Sequence, residues 1–583
     1  MLSSVTWKIG GEAGFGIMSA GTMLARAFTR VGYHAMATNE YPSLIRGGHN
    51  LITVRIATKP FHAMNRDVHI LVALNKQTVE LHKDELTPNA IVVFDPKDYE
   101  WKSTDFKNPV TLAPVPLSDI VKKVSGENVM RNTVALGVTM ALLGLDFALL
   151  SSVIIGQFKK KGEAVIKFNL NIARDGYDHI KQILPNETLC YIQKGESRDK
   201  QLVLNASEAL GIGAVSGGMK FAAVYPMTPI NSVITFMADH AKALGIVYKQ
   251  PEDEIAGINM AIGASMAGVR SMVATSGGGF ALMVEGLSLA GMLELPLVID
   301  LGMRVGPATG MPTYTEQGEL RFAIHAGHGE FPRIVLAPGD ATEAFSLTAQ
   351  AFNLADRYQI PVFVLTDKYL NESQWCVRES DLKKVVVIDR GKLVKPEDLP
   401  LDGSFKRYLL DTPDGISPRS YPGMPHGQYF ANSYEHDEAG HVTEKADKRH
   451  AMAAKRLKKF EAIKTSVMPP VLTGEKNADV TFITWGSTRG PVLEALAMGQ
   501  GKVASKTANV VTFPWLYPFP TSAAKSILAG AKRLVDVEQN ATGQLASLIY
   551  EHTGIAITEK LLKFNGRPFF PEEIIEGVSD LNL

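Results

Sequence analysis

The chain has 583 residues, with 60 Lys+Arg balanced by 60 Asp+Glu, 45% hydrophobic residues and 8% aromatic ones. At roughly 100–200 residues per domain this length predicts about three or four domains, each able to bury a core. The balanced charge excludes the basic footprint of a nucleic-acid or anionic-membrane binder. Its two cysteines, Cys190 and Cys376, are too few for a disulfide framework, a four-thiolate zinc site or an iron–sulfur cluster within this chain. Any such centre must come from a partner, and each thiol reads as a buried bystander.

From Met1 to Gly10 no charged stretch precedes an apolar one, as expected of a cytoplasmic protein without a secretory leader. The first stretch, residues 1–185, alternates β-rich runs such as Val5–Ile9, Leu51–Ile56, His69–Leu74 and Ala90–Phe94 with the helical patterns Met18–Arg30 and Asn132–Leu143. That alternation predicts an α/β domain. Within it, Gly10-Gly11-Glu12-Ala13-Gly14-Phe15-Gly16 joins a strand to a helix and could present free N–H groups to a phosphate, but it lacks the G-x-G-x-x-G spacing of a dinucleotide site. A close packing turn fits it equally well. Arg46, in Tyr41-Pro42-Ser43-Leu44-Ile45-Arg46-Gly47-Gly48-His49-Asn50, would suit a phosphate-bearing ligand or an inter-domain ion pair.

The apolar run 134–156 is long enough to cross a bilayer. Its one charge, Asp146, follows Gly144-Leu145 and precedes a fresh apolar period, as an N-cap does between two short helices. A buried helical hairpin is therefore expected.

Residues 186–200 are polar and read as a linker. A second α/β pattern covers 201–384, with predicted strands Phe221–Tyr225, Val247–Lys249, Ser271–Thr275, Leu297–Leu301 and Val362–Leu365 between helices, so its sheet should be parallel. Residues 385–467, richer in Pro, Gly, His and charge, read as an extended connection or arm. A third α/β unit over 468–583 carries predicted strands Val480–Thr484, Val510–Phe513 and Arg533–Val537.

In a parallel sheet ligands bind beyond the strand C-termini. Tyr225-Pro226-Met227-Thr228-Pro229 follows a predicted strand, and its prolines would hold Thr228 at a defined position. Glu252, Asp253 and Glu254 open a helix of small residues. Acids there normally compensate the helix dipole, but Glu254 adjoins the small-residue face and could be buried at an interface. Thr275-Ser276-Gly277-Gly278-Gly279 and Gly302-Met303-Arg304-Val305-Gly306-Pro307 end two further strands. Arg304 is the single cation on that rim, and a forked guanidinium suits a carboxylate substrate; a structural ion pair is the alternative.

The strings YPMTP, EDEIAG, TSGGGFALM, MRVGPATGMPT, EQGEL, GHGEFPRIVLAPGD, TDKYL, VEQNATGQLA and NGRPF together resemble the α subunit of 2-oxoacid:ferredoxin oxidoreductases. GGEAGFG and YPSLIRGGHN resemble that family's γ domain fused ahead of α, and the arrangement is most similar to KorA-type subunits acting on 2-oxoglutarate. The likeness covers nearly the whole chain and is weakest over 385–467, apart from EHDEAGH.

The resemblance implies three α/β domains with mainly parallel sheets: a coenzyme A-proximal γ domain, a thiamine diphosphate pyrimidine-binding domain and a transketolase C-terminal-like domain. It implies CoA-dependent oxidative decarboxylation of a 2-oxoacid with electrons passed to ferredoxin, reversible as a carboxylation. Thiamine diphosphate would be shared with a β subunit that holds Mg2+ and a [4Fe–4S] cluster, in an (αβ)2 heterotetramer, and this chain would hold no metal. By the same resemblance Glu254 matches the glutamate on the pyrimidine ring nitrogen, which promotes loss of the thiazolium proton. Thr228, with Tyr225 and Pro226, lies beside cofactor and substrate, Arg304 takes the substrate carboxylate, and Arg46 contacts a phosphate of coenzyme A. A pyruvate or broad-specificity enzyme and a non-catalytic assembly subunit are the competing readings. A self-sufficient thiamine enzyme would need a GDG-type diphosphate motif, which this sequence lacks.

Overall fold

The computed structural model describes residues 2–44, 47–123, 127–184, 192–197 and 199–581. They form two compact units: Met1–Asn205 with Glu372–Asp381 and Phe570–Glu572, and Ala206–Asn371 with Leu382–Phe569 and Glu573–Leu583.

The first unit is built on one eight-stranded sheet. Its strands are β1 (Ser4–Glu12), β2 (His34–Glu40), β3 (His49–Ala57), β4 (Val68–Ala73), β5 (Leu86–Phe94), β6 (Val110–Pro114), β7 (Gln201–Asn205) and β14 (Gln374–Arg378), in the order β6-β5-β4-β1-β3-β2-β14-β7. The half from β6 to β1 is parallel, as the α/β pattern predicts. From β1 onward every pairing is antiparallel. Residues 201–205 and 374–378, expected inside the second domain, pair with each other in this sheet. Nothing local announces that pairing, because it depends on segments some 170 residues apart.

The apolar run resolves into two helices, Arg131–Leu142 and Phe147–Phe158, and the Asp146 carboxylate caps the second by accepting from Ala148 N at 2.8 Å. Every residue of the first helix is buried, including the polar Arg131, Asn132, Thr133 and Thr139. It fits closely against helix Glu163–Ile183: a Cβ on Gly176 would lie 2.5 Å from the Val134 carbonyl oxygen, and one on Gly137 would overlap the Ala173 carbonyl. Trp7 Nε1 donates to Thr139 Oγ1 at 2.9 Å and ties it to the sheet. Among the described residues no helix is long and apolar enough to cross a membrane.

The second unit contains two sheets. The larger comprises β8 (Phe221–Ala223), β9 (Val247–Lys249), β10 (Ser271–Thr275), β11 (Leu297–Met303), β12 (Ile334–Leu336), β13 (Pro361–Asp367) and β19 (Trp515–Tyr517), in the order β19-β12-β13-β11-β10-β8-β9. Only the β12–β19 pairing is antiparallel. β10, β11 and β13 are buried along their whole length, which is why they read as continuous apolar runs rather than alternating ones. The smaller sheet holds β15 (Val471–Gly474), β16 (Val480–Thr484), β18 (Lys506–Thr512), β20 (Leu534–Glu538) and β21 (Glu559–Leu562), with β17 (Lys502–Val503) pairing β18. It too is mainly parallel.

The arm, residues 385–467, closes with helix Ala446–Ile463 and is held by buried ion pairs rather than by a sheet. Glu294, deep in the larger layer, pairs with Lys455 and Lys459 of that helix at 2.6 Å each. Asp356 accepts from Arg270 Nε at 2.7 Å and from Arg419 Nη2 of the arm at 2.9 Å.

Candidate active site

Parallel pairing places the C-terminal ends of β8, β10, β11 and β13 on one rim of the larger sheet. The segment carrying Tyr225, Pro226 and Thr228 leaves β8 there, with Tyr225 and Thr228 half-buried and Pro226 exposed. Arg304 follows directly on the last residue of β11, and its Nη1 donates to the Thr228 carbonyl oxygen at 2.9 Å. Two residues expected on one rim thus touch across 76 positions of sequence. Burial lowers the Arg304 pKa from its ordinary value, while the nearby Glu319 opposes that shift.

Glu254 is the first residue of helix Glu254–Met266, whose N-cap, Asp253, accepts from Ala256 N at 2.7 Å. Asp253 therefore does the capping expected of an acid in this position, and Glu254 is left for another task. It is 3% exposed, and its Oε1 is enclosed without a hydrogen-bond partner. An enclosed carboxylate oxygen with no donor costs about 1–3 kcal/mol or more, a cost that a ligand supplying a donor removes.

The three glycines after β10 acquire a physical reason here. Helix Gly277–Met292 begins at the turn. A Cβ on Gly279 would lie 2.5 Å from Glu254 Oε1 and would overlap Thr275 Oγ1, and one on Gly277 would lie 2.8 Å from Glu319 Oε1. The turn is thus packed by a carboxyl group at each end, and side chains at either position would displace it. Ser276, between β10 and the glycines, is buried and its hydroxyl has no partner.

Glu319, inside the quoted EQGEL string but given no role from the sequence, is the main addition that the structure makes. Burial pushes its carboxyl up to about 8, with Glu316 adding to the rise and Arg304 working against it. Its Oε2 is enclosed and unpartnered. The signal that could have found it is the acid's place in a Gly-rich loop that follows the same strand as Arg304.

That loop is held by Gln317, which is fully buried. Its backbone N–H donates to the Gln539 carbonyl at 2.7 Å, its Nε2 to the Trp485 carbonyl at 3.1 Å, and its Oε1 accepts from Thr488 Oγ1 at 2.8 Å. Asp367, at the end of β13, accepts from Ser487 Oγ at 2.6 Å. The rims of the two sheets are therefore pinned to each other beside the site. VEQNATGQLA belongs to this framework: Glu538 accepts from Trp485 Nε1, Asn540 Nδ2 and the backbone N–H groups of Leu545 and Ala546, which satisfies its carboxylate.

Arg46 and Cys190 lie outside the described residues. The thiol of Cys376 donates to Gln201 Oε1, and burial pushes its pKa up to about 11, so it stays protonated and a poor nucleophile at neutral pH. In the glycine-rich turn after β1, Asn132 Nδ2 donates to the Gly16 carbonyl oxygen at 2.8 Å and Gly11 packs on Leu74 and Phe15, contacts that serve strand-to-helix packing.

Known proteins match over the same regions. Residues 212–455 match the family described as "Pyruvate flavodoxin/ferredoxin oxidoreductase, thiamine diP-bdg", and residues 6–179 the family "Pyruvate ferredoxin/flavodoxin oxidoreductase". A 2-oxoacid:ferredoxin oxidoreductase subunit alpha from Sulfolobus sp is 34% identical over 98% of this chain and 96% of its own length. The 2-oxoglutarate synthase subunit KorA of Methanothermobacter thermautotrophicus is 30% identical over 66% of this chain and 99% of its own. A solved structure, the 2-oxoglutarate:ferredoxin oxidoreductase from Magnetococcus marinus with 2-oxoglutarate, coenzyme A and succinyl-CoA bound, superposes with a TM-score of 0.90 at 32% identity, covering 100% of both chains. With identity above 30% sustained along its whole length, the chain belongs to the α subunits of the 2-oxoacid:ferredoxin oxidoreductases.

Proposed function

We propose that this chain is the α subunit of a 2-oxoglutarate:ferredoxin oxidoreductase. The reaction converts a 2-oxoacid and coenzyme A to acyl-CoA and CO2, sends two electrons to ferredoxin, and runs in reverse as a carboxylation. The observation that carries this reading is end-to-end superposition on a protein whose structure holds 2-oxoglutarate, coenzyme A and succinyl-CoA.

Thiamine diphosphate, when bound, supplies the carbanion chemistry that decarboxylation requires. The residues of this chain fit its pyrimidine half: Glu254 offers a buried, unpartnered carboxyl oxygen to a ring nitrogen, and Tyr225, Pro226 and Thr228, on the loop that leaves β8 at the same rim, are assigned to its neighbourhood. Arg304 holds the carboxylate next to the reacting carbonyl, with Thr228 placed by its contact with Arg304. Arg46, on sequence grounds, is assigned to a phosphate of coenzyme A.

The diphosphate, Mg2+ and a [4Fe–4S] cluster are assigned to a β subunit in an (αβ)2 assembly, with ferredoxin as the electron acceptor. Two cysteines in the whole chain support that division. So does the surface beside Glu254, where Ile255 is 50% exposed and Met260 and Leu282 are exposed on helices Glu254–Met266 and Gly277–Met292. The domain division that accompanies this reading is 1–185 (γ-like, CoA-proximal), 186–200 (linker), 201–384 (pyrimidine-binding, except that 201–205 and 372–381 join the first unit), 385–467 (arm) and 468–583 (transketolase C-terminal-like).

The descriptions of the matched families name pyruvate, so substrate choice is the point to test. The complex of this chain with its co-purifying iron–sulfur partner, isolated anaerobically, is expected to reduce viologen in a CoA-dependent way, fastest with 2-oxoglutarate. A preference for pyruvate would retain the chemistry and replace the substrate. A thiamine-loaded, cluster-bearing complex inactive with every 2-oxoacid would favour an assembly subunit.

A further inference from the structure

Gly302 lies near the end of β11, two residues before Arg304, and three neighbours converge on the space a side chain would fill. A Cβ there would lie 2.8 Å from Ile230 Cγ2, 3.0 Å from Asn371 Nδ2 and 3.1 Å from Pro229 Cγ. The segment that carries Thr228 is therefore seated against this stretch at two places. Pro229 and Ile230 rest on Gly302 beside the Asn371 amide, and Arg304 Nη1 donates to the Thr228 carbonyl oxygen at 2.9 Å.

Asn371 is wholly buried, and so are the groups that hold it. Its Nδ2 donates to Thr366 Oγ1 at 2.8 Å, and Thr366 Oγ1 donates to Asp300 Oδ1 at 2.9 Å. Thr366 pairs with Gly302 in the β11–β13 register, and Asp300 is two positions before Gly302, so the three face the same side of the sheet. At the two ends of this polar chain, Asp300 Oδ2 and Asn371 Oδ1 have no partner. Polar side chains enclosed in this way cost stability relative to apolar ones of the same shape; what they add is direction. An apolar side chain at position 371 could fill the seat in several rotamers, whereas an amide tied to Thr366 is held in one.

We propose that Asn371 is a positioning residue for the 2-oxoacid site: anchored through Thr366 to Asp300, it fixes the seat of Pro229 and Ile230 and with it the contact between Thr228 and Arg304. The inference rests on the reading of Arg304 as the cation that takes the substrate's carboxylate. A guanidinium that must meet a carboxylate in a defined geometry is sensitive to its support, since a displacement of about 1 Å can cost about 10²-fold in rate.

The test is steady-state kinetics of the assembled complex, with kcat and the KM values for the 2-oxoacid and for coenzyme A recorded separately. Thr366→Val keeps the shape and removes the hydroxyl, whereas Thr366→Ser keeps the hydroxyl. T366V and Asn371→Ala should each raise the KM for the 2-oxoacid about tenfold and leave that for coenzyme A within about twofold. T366S should retain the wild-type KM. An unchanged 2-oxoacid KM in N371A overturns the proposal, as does a T366S as impaired as T366V. Equal rises in the two KM values also overturn it, because a general loosening of the fold would produce them. Should N371A fail to assemble, the contrast between T366V and T366S decides. Arg304→Ala separates this idea from the one beneath it. If that variant leaves the 2-oxoacid KM unchanged, the assignment of Arg304 fails and the proposal with it; if it raises the KM while N371A and T366V stay at the wild-type value, only the role of Asn371 fails.

Discussion

Glu254 shows how one residue's meaning changes with its neighbours. In sequence it is the last of three acids at a helix start, where dipole compensation is the ordinary role. In the structure Asp253 takes the capping bond, Glu252 is exposed, and Glu254 is turned inward with an oxygen that lacks a donor. Replacing it with Gln retains its shape and removes its charge. The expected outcome in the assembled complex is a loss of turnover of about 10²-fold or more, the range for a positioned proton-transfer contact, together with weaker retention of thiamine diphosphate measured by calorimetry. A variant with wild-type rate and cofactor affinity would show that the carboxylate is structural. Glu319 was not legible in the same way, since its enclosure depends on packing against Gly277, some 40 residues earlier in the chain.

At the scale of elements, the glycine turn after β10 is where packing and chemistry meet. Its flexibility is visible in the sequence, but which glycine matters is not. A Cβ on Gly278 would find its nearest neighbour, the Ala308 carbonyl oxygen, at 3.9 Å, whereas on Gly279 it would press on Thr275 and Glu254. Gly278→Ala should therefore leave stability within about 0.5 kcal/mol. Gly279→Ala should cost about 1–3 kcal/mol, as overpacking does, and lower activity by displacing Glu254. Thermal unfolding of the two variants side by side checks this, and equal effects would show that the turn tolerates bulk at both positions. The helical hairpin is the contrasting case: its Asp146 cap was readable because a cap is a local event, settled by the residue and the N–H two positions on.

At the scale of the whole molecule, the ion pairs that hold the arm lie within the second unit and link residues far apart in sequence. Asp356 sits between Arg270 and Arg419, all three almost wholly buried. Removing the acid strands two buried cations, so Asp356→Ala should destabilise by about 3–5 kcal/mol and render residues 385–467 more sensitive to limited proteolysis. An unchanged denaturation midpoint would mean that the arm is held by its apolar contacts instead. By itself the sequence determined the α/β class, most helices and parallel strands, the strand-end loops that carry Thr228 and Arg304, and a cysteine count too low for this chain to ligate an iron–sulfur cluster. Those follow from hydrophobic period, local caps and turns, and residue counts, which are properties of neighbouring positions. Only the tertiary structure decided that β7 and β14 enter the first sheet, that Gln317 pins the site loop to the smaller sheet, and that Glu319 packs on Gly277 with one oxygen left unpartnered. Such outcomes depend on burial and on the meeting of distant segments, where the loss of water sets which polar groups must pair and which are left poised for a ligand.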